Sequence, residues 1–171
     1  VATVSKDIVF ETLHEYDWVQ IGGAIKHPEK GKIIDMSKGL EKDFGIKDGY
    51  LKVYPVDGYG NEDILREVIA MEKPDAILHY TDPRFWIWFY NMEAEIRRDI
   101  PIFYYNIWDD LPDPQYNTNY YRSSDLLMSI SKQTYGINNR LLKPHGYEDW
   151  QTKFVPHGIS SRRFKKVKDD N

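Results

Sequence analysis

The stretch that decides the fold is Lys73-Pro74-Asp75-Ala76-Ile77-Leu78-His79-Tyr80-Thr81-Asp82-Pro83. The apolar run from Ala76 to Leu78 is too short for a helix and follows a proline turn, so it predicts a strand buried on both faces. A helix rich in apolar residues is predicted to begin at Pro83 and to end near Arg98, since proline is tolerated in the first turn. Its expected core stripe is Phe85, Trp88, Phe89, Met92 and Ile96.

Two polar residues follow this predicted strand. In an open α/β sheet, ligands bind beyond the carboxyl ends of parallel strands, so His79 and Asp82 are candidate site residues. His79 beside a carboxylate could act as a general base or bind a hydroxyl group. The alternative, which the sequence leaves open, is a half-buried histidine that is hydrogen-bonded to a backbone carbonyl.

Strand and helix patterns alternate along the rest of the chain. Strands are predicted at 18–21, 51–55, 101–106, 126–130 and 153–155, and helices at 2–14, 62–72 and 131–142, with Asn61 as the N-cap of the helix at 62–72. This alternation predicts an α/β fold, a three-layer Rossmann-like sheet that is mostly parallel and has helices on both faces.

The predicted domain spans residues 1–160, and residues 161–171 are a charged tail or linker. Because the chain starts with a helix pattern, the first strand of the sheet is expected to be missing. Its two neighbours would be the strands at Trp18–Ile21 and Ala76–His79. We expect these two strands to pair directly, since buried backbone groups need partners, with a homodimer through the open edges as the alternative.

Composition narrows the functional class. The 171 residues carry a net charge of −4 with both signs mixed, which points away from nucleic acid and from anionic membranes as partners. There is no cysteine, and no apolar run approaches the length of a membrane span. A cytoplasmic protein is therefore expected. The phosphate-binding patterns G-x-G-x-x-G and G-x-x-x-x-G-K-[ST] do not occur, so no nucleotide cofactor site is predicted in this chain.

Asp109 and Asp110 follow another predicted strand and belong to a stretch, Asp109-Asp110-Leu111-Pro112-Asp113, that matches the metal-binding pattern D-D-x-x-D. That chemistry needs the carboxylates on one helix face, and Pro112 prevents a regular helix there. The five histidines form no zinc-binding pair either, so no metal is predicted. Asp109 and Asp110 are instead expected to face a cleft from a loop or to form a simple turn.

Six aromatic residues are expected to lie off the core faces, where they would suit a sugar or a partner surface. They are Trp86, Tyr90, Trp108, Tyr116, Tyr120 and Tyr121.

Several stretches, taken in order, resemble the N-terminal domain of GT-B glycosyltransferases of the retaining, family-4-like group. The stretch 153–164, Lys-Phe-Val-Pro-His-Gly-Ile-Ser-Ser-Arg-Arg-Phe, is similar to that group's V-P-x-G-[I/V]-D-x-x-x-F segment. The stretch 73–79 resembles its K-P-D-[I/V]-[I/V]-x-x strand, and 125–131 resembles its A-D-x-[I/V]-x-x-[S/T]-S strand. Ser160 departs from the pattern, because the group usually has aspartate there.

The resemblance implies the acceptor-side half of a nucleotide-sugar-dependent hexosyltransferase. The partners would be a sugar or glycan acceptor and a nucleotide-sugar donor, with the donor site in a C-terminal domain outside this sequence. The acceptor cleft would be lined by His79, Asp82, Asp109 and Asp110, and an interdomain hinge would lie at His157 and Gly158. No catalytic base follows, and the half-enzyme would be inactive alone. The alternative is a non-enzymatic, flavodoxin-like module that binds a protein partner.

Overall fold

A computed structural model describes residues 2–24, 26, 28–159 and 164–165. The strands are β1 (Trp18–Ala24), β2 (Ile34–Asp35), β3 (Leu51–Asp57), β4 (Ile77–His79), β5 (Ile102–Asn106), β6 (Leu126–Ser129) and β7 (Thr152–Phe154). The helices are α1 (Ala2–Thr12), α2 (Ser37–Phe44), α3 (Glu62–Glu72), α4 (Ile87–Asn91), α5 (Glu93–Ile96), α6 (Thr118–Arg122) and α7 (Lys132–Leu142). Single turns of 3-10 helix occur at Pro83–Phe85, Gln115–Asn117 and Lys143–His145.

The strands form two sheets, one with the order β1-β3-β2 and an all-parallel one with the order β4-β5-β6-β7. The predicted α/β, Rossmann-like fold is confirmed. The chain divides into two compact units, residues 1–102 and residues 103–171. Most of the charged tail predicted at 161–171, together with Ser160, lies outside the described residues. In the part of the chain that the structure describes, no helix has the length and apolar character needed to cross a membrane.

In the first unit, β1 and β3 pair in parallel along seven residues, from Trp18 opposite Leu51 to Ala24 opposite Asp57. β2 pairs with β3 in the antiparallel sense. A small apolar cluster covers the amino end of this sheet because α1 and α2 each turn an apolar stripe towards it. Its buried members are Val9, Leu13, Leu40 and Leu51.

The predicted direct pairing of the strands at 18–21 and 76–79 is wrong, because β1 and β4 belong to different sheets. The expectation assumed that both strands are buried and so need partners along both edges. Instead Val19, Ile21, Ile77 and Leu78 are all half-buried, so the assumption of full burial does not hold. The prediction that Ala76–Leu78 is buried on both faces is wrong for the same reason, and His79 is the buried residue of β4.

Helix α3 spans the predicted residues. The Asn61 side chain accepts a hydrogen bond from the Ile64 backbone N–H at 3.0 Å, as expected of an N-cap. Leu65 and Val68 are buried. The helix ends at Glu72, and Lys73 caps it in a left-handed conformation with φ 48°, its backbone N–H donating to the Ile69 carbonyl.

The single helix predicted over 83–98 is replaced by a 3-10 turn, α4 and α5. The Asp82 carboxylate caps the turn at the Arg84 N–H, and Trp86 then leaves helical geometry with φ −121° and ψ 30°. A 3-10 helix has three residues per turn instead of 3.6, so side chains before and after Trp86 no longer lie on one face. Phe85, which was expected in the core, is consequently 54% exposed, whereas Phe89, at the predicted core position after the break, is buried.

In the second unit, β5, β6 and β7 pair in parallel, with Phe103 opposite Leu126 and Leu127 opposite Thr152. α7 begins at a Ser131 cap that accepts a hydrogen bond from the Thr134 N–H. The core of this unit comes from β5, β6, α6 and α7. It consists of Tyr104, Tyr121, Leu127, Ile137, Leu141 and Leu142.

Candidate functional site

His79 ends β4 and is buried, with 6% of its surface exposed. Its Nδ1 atom lies 2.6 Å from the phenolic oxygen of Tyr90 on α4. Burial lowers the pKa of His79 from 6.5 to about 3, although the Asp82 charge acts in the opposite direction. The imidazole is therefore neutral near pH 7, and it acts there through hydrogen bonds and packing instead of as a cation.

Asp82 begins the 3-10 turn that follows β4. Its carboxylate accepts hydrogen bonds from the Arg84 backbone N–H at 3.0 Å and from the Arg84 guanidinium at 2.5 to 3.1 Å. The side-chain hydrogen bonds from Arg84 lower the pKa of Asp82, and the backbone bond adds to this effect. Asp82 is thus an ionised cap in a local ion pair, which makes it an anchor for the turn and not a proton acceptor.

Aromatic rings surround His79. It packs against Trp86, Phe89 and Tyr90 at centroid distances of 5.4, 5.6 and 5.4 Å. Trp86 in turn contacts Trp88 at 5.5 Å and Tyr59 at 5.8 Å. We call the set Tyr59, His79, Phe85, Trp86, Trp88, Phe89 and Tyr90 the aromatic cluster.

The outer part of the aromatic cluster is a pair of stacked rings. Tyr59 and Phe85 have centroids 5.3 Å apart and planes only 14° from parallel. They are 46% and 54% exposed, respectively. Two large rings that stack with so much surface in water form a flat apolar patch at the edge of the cluster.

Glycines let the strand ends approach this cluster. A Cβ atom at Gly23, near the end of β1, would lie 2.5 Å from the Gly58 carbonyl oxygen, so no larger residue fits there. Gly60 has a φ of 75°, and a Cβ atom on it would lie within 4 Å of both Ile21 and Trp88. The carboxyl ends of β1 and β3 therefore border the same cluster as His79.

Two donors in the aromatic cluster stand out among the described residues. The indole nitrogens of Trp86 and Trp88 are buried, and no hydrogen-bond acceptor for either is found in the described part of the chain. A buried donor without an acceptor costs about 1–3 kcal/mol, which native structures rarely tolerate without a reason.

Asp109 and Asp110 lie in the second unit, in the exposed loop after β5. The loop is held by its backbone, because Gln133 donates to the Asp109 carbonyl and the Trp108 indole donates to the Asp110 carbonyl. The Asp110 carboxylate accepts a hydrogen bond from the Leu111 N–H. Both side chains are solvent-facing, and as predicted no helix forms at these residues.

The third carboxylate of the D-D-x-x-D pattern has a different role. Asp113 binds Arg140 of α7 through two hydrogen bonds of 2.7 Å each. Among the described residues, no group of three or more histidine or acidic side chains is arranged to hold a metal ion.

The second unit also buries a polar chain that the sequence analysis missed. The Asn106 side chain donates to Asn138 at 2.7 Å, and Asn138 donates to Ser129 at 2.8 Å. All three residues are at most 1% exposed. Because its members hydrogen-bond to one another, we regard the chain as structural, fixing the ends of β5 and β6 against α7.

The two predicted hinge residues are exposed. His157 and Gly158 lie in the irregular segment after β7, and a Cβ atom on Gly158 would meet open space. Of the six aromatic residues expected off the core, Tyr90 and Tyr121 are buried, whereas Tyr116 is exposed as predicted. Tyr59 was missed, although its position between two glycines at a strand end, Gly58-Tyr59-Gly60, is a signal that could have identified it.

Comparison of the chain with protein-family models, with curated proteins and with solved structures gives no match.

Proposed function

We propose that this chain is the acceptor-side part of a cytoplasmic, nucleotide-sugar-dependent glycosyltransferase of the retaining GT-B type. The observation that carries the proposal is the position of His79 and Asp82. Both lie at the carboxyl end of β4, in an all-parallel sheet. His79 belongs to the partly exposed aromatic cluster, and Asp82 caps the turn that carries Phe85 of that cluster. That edge is where open α/β sheets bind their ligands.

The residues suit binding better than proton transfer. His79 is neutral and buried, and Asp82 is an ionised cap bound to Arg84. Neither group is poised to take a proton from an acceptor hydroxyl. This fits an acceptor-holding role, in which the reaction is driven by the donor sugar and its nucleotide on another domain.

A binding module without enzymatic activity is the second candidate. The exposed Tyr59–Phe85 pair favours it, because flat aromatic surfaces also bind protein partners. The two candidates differ in whether a nucleotide sugar is consumed.

The test uses the complete product of the gene that encodes this chain, assayed for sugar transfer and for donor hydrolysis with UDP-, GDP- and ADP-sugars. We expect turnover with at least one donor and at least a tenfold loss in the Asp82→Asn variant, since the turn beside His79 loses its ion pair. Asp149→Asn is the matched control, because it also breaks an ion pair, with Lys143, but its side chain is 86% exposed and lies in the second unit. The absence of turnover with all donors would contradict the enzymatic proposal and leave the binding module.

The 171-residue chain itself should bind these donors only weakly, since the proposal assigns the donor site to another domain. Calorimetry with the same nucleotide sugars measures this directly. A micromolar dissociation constant for any of them would mean that this chain holds the donor, and the acceptor-side assignment would be wrong.

A further inference from the structure

We propose that the exposed surface of the Tyr59–Phe85 pair binds the pyranose ring of an uncharged sugar, and that the Trp86 indole donates a hydrogen bond to a hydroxyl group of that sugar. This inference rests on the proposed function in treating the sugar as the acceptor. It goes further by naming the subsite and by excluding phosphorylated and acidic sugars from it.

The shape of the pair suits a sugar ring. The two rings are nearly parallel and about half exposed, so they offer flat apolar surface to the solvent. A pyranose has an apolar face of C–H groups and a rim of hydroxyl groups. Placing that face on an aromatic ring removes apolar surface from water on both partners, while the hydroxyl rim stays accessible to polar groups.

The rings are held in place before any ligand binds. The Tyr59 ring stacks on Phe85 and also packs edge-on against Trp86, with centroids 5.8 Å apart. Phe85 belongs to the turn that Asp82 caps. A preorganised surface loses little side-chain entropy on binding, which favours recognition of a small ligand.

The charges around the pair argue for an uncharged ligand. The guanidinium of Arg84, next to Phe85, is paired with Asp82. The first turn of α3, which follows Gly60, carries Glu62 and Asp63, and these carboxylates oppose the binding of an anion at that helix end.

Lys30 is also paired with a carboxylate. Its ammonium group lies 3.5 Å from the carboxylate of Asp57, which is at the end of β3. The charges of Arg84 and Lys30 are therefore each matched by a carboxylate. Glu62 and Asp63 share one guanidinium, that of Arg66, so negative charge prevails at the start of α3 and disfavours a phosphate or a carboxylate as the ligand.

The Trp86 indole supplies the polar contact. Its N–H is buried and has no acceptor among the described residues, and its ring contacts Tyr59, which is itself partly exposed. A sugar that lies on Tyr59 would bring its hydroxyl rim next to Trp86, which Tyr59 contacts, and a hydroxyl oxygen is a suitable acceptor for this N–H. Binding then satisfies a donor that is otherwise left without a partner.

The experiment titrates the 171-residue chain with methyl glucosides, mannosides and galactosides, with maltotriose and with glucose 6-phosphate, and follows tryptophan fluorescence and calorimetric heat. We expect about millimolar affinity for at least one uncharged glycoside, as is usual for so small a contact, and weaker binding of the phosphate. Tyr59→Ala and Phe85→Ala should each weaken binding at least tenfold, and Trp86→Phe should weaken it several-fold while keeping the ring.

Tyr16→Ala is the matched control. Tyr16 is 59% exposed but precedes the amino end of β1, whereas Tyr59 follows the carboxyl end of β3, which runs parallel to β1. This control should bind like the parent. Circular dichroism of each variant checks that it is folded, and a variant that fails this check is replaced by Tyr59→Ser or Phe85→Ser.

Three results would overturn the proposal: no binding of any uncharged glycoside, parental affinity in both alanine variants, or preference for the phosphate. Parental affinity in Trp86→Phe would overturn the role of the indole. Failure here is separable from failure of the proposed function. If the complete gene product transfers sugar but this chain binds no glycoside, the enzymatic proposal stands and the subsite is wrong. If the chain binds a glycoside but the gene product shows no turnover, the subsite stands and the enzymatic proposal is wrong.

Discussion

The Nδ1 atom of His79 lies 2.6 Å from the phenolic oxygen of Tyr90, and the two residues are 6% and 5% exposed. This hydrogen bond joins the last residue of β4 to α4, so it links the predicted ligand-binding edge to the helix behind it. Its loss in Tyr90→Phe would leave a buried imidazole nitrogen without this partner. We expect a loss of about 1–3 kcal/mol in the free energy of unfolding, measured by urea denaturation.

The control for this variant is Tyr16→Phe, which removes a hydroxyl from an exposed tyrosine and should stay within about 0.5 kcal/mol of the parent. Equal stability of Tyr90→Phe and the parent would mean that another group takes over the hydrogen bond.

Protonation of His79 should make the protein less stable in mild acid. The pKa of His79 is about 3 in the folded protein and 6.5 in the unfolded chain. Between pH 3 and pH 6.5 the unfolded chain therefore binds a proton at this residue that the folded protein does not. The stabilisation is complete above pH 6.5 and is lost as the pH falls towards 3. Between about pH 7.5 and pH 5 this residue should account for a loss of about 2 kcal/mol.

The measurement compares urea unfolding of the parent and of His79→Asn across that pH range. The variant keeps polar atoms at this position but cannot titrate, so its stability should change less with pH. Parallel curves for the two proteins would show that His79 has a nearly normal pKa when folded.

Local signals in the sequence account for much of the fold. The Asn61 cap, the stripe of Leu65 and Val68, and the proline after Lys73 identify α3 without tertiary information. The prediction of a single helix over 83–98 is wrong because Asp82 caps a 3-10 turn at its start. The spacing of apolar residues around Phe85 does not show that this turn is 3-10 instead of α-helical.

The candidate site was predictable only in part. His79 and Asp82 could be placed at a strand end from the sequence. The burial of His79, however, depends on contacts with Trp86 and Tyr90 in the segment that follows the strand. The stack of Tyr59 on Phe85 joins residues from two segments of the chain. Periodicity within either segment carries no information about such a contact.

Glu72 should be a major determinant of stability in the first unit. Its carboxylate, 7% exposed, accepts hydrogen bonds from the Tyr50 and Tyr54 hydroxyls and from the Lys52 ammonium group. Burial alone would raise the pKa of Glu72, but these hydrogen bonds outweigh it and lower the pKa. Glu72→Gln removes the charge and places an NH₂ donor against other donors, so we expect a loss of about 2–4 kcal/mol.

The matched control is Glu67→Gln, an exposed glutamate on the same helix, which should be close to neutral. If both variants unfold at the same urea concentration as the parent, the cluster around Glu72 contributes little to stability.

Replacing both Asp109 and Asp110 by asparagine should leave folding unchanged within about 0.5 kcal/mol, because both side chains are exposed and the loop is held by its backbone carbonyls. Asparagine can still accept the hydrogen bond from the Leu111 N–H that Asp110 receives. Asp113→Asn, two residues beyond Leu111, is the informative comparison. It removes the charge and one of the two oxygens that accept hydrogen bonds from Arg140, so it should lower the melting temperature more than the double variant does. A sharp fall in the melting temperature of the double variant would identify Asp109 and Asp110 as structural, and they could then no longer be counted as candidates for contact with an acceptor.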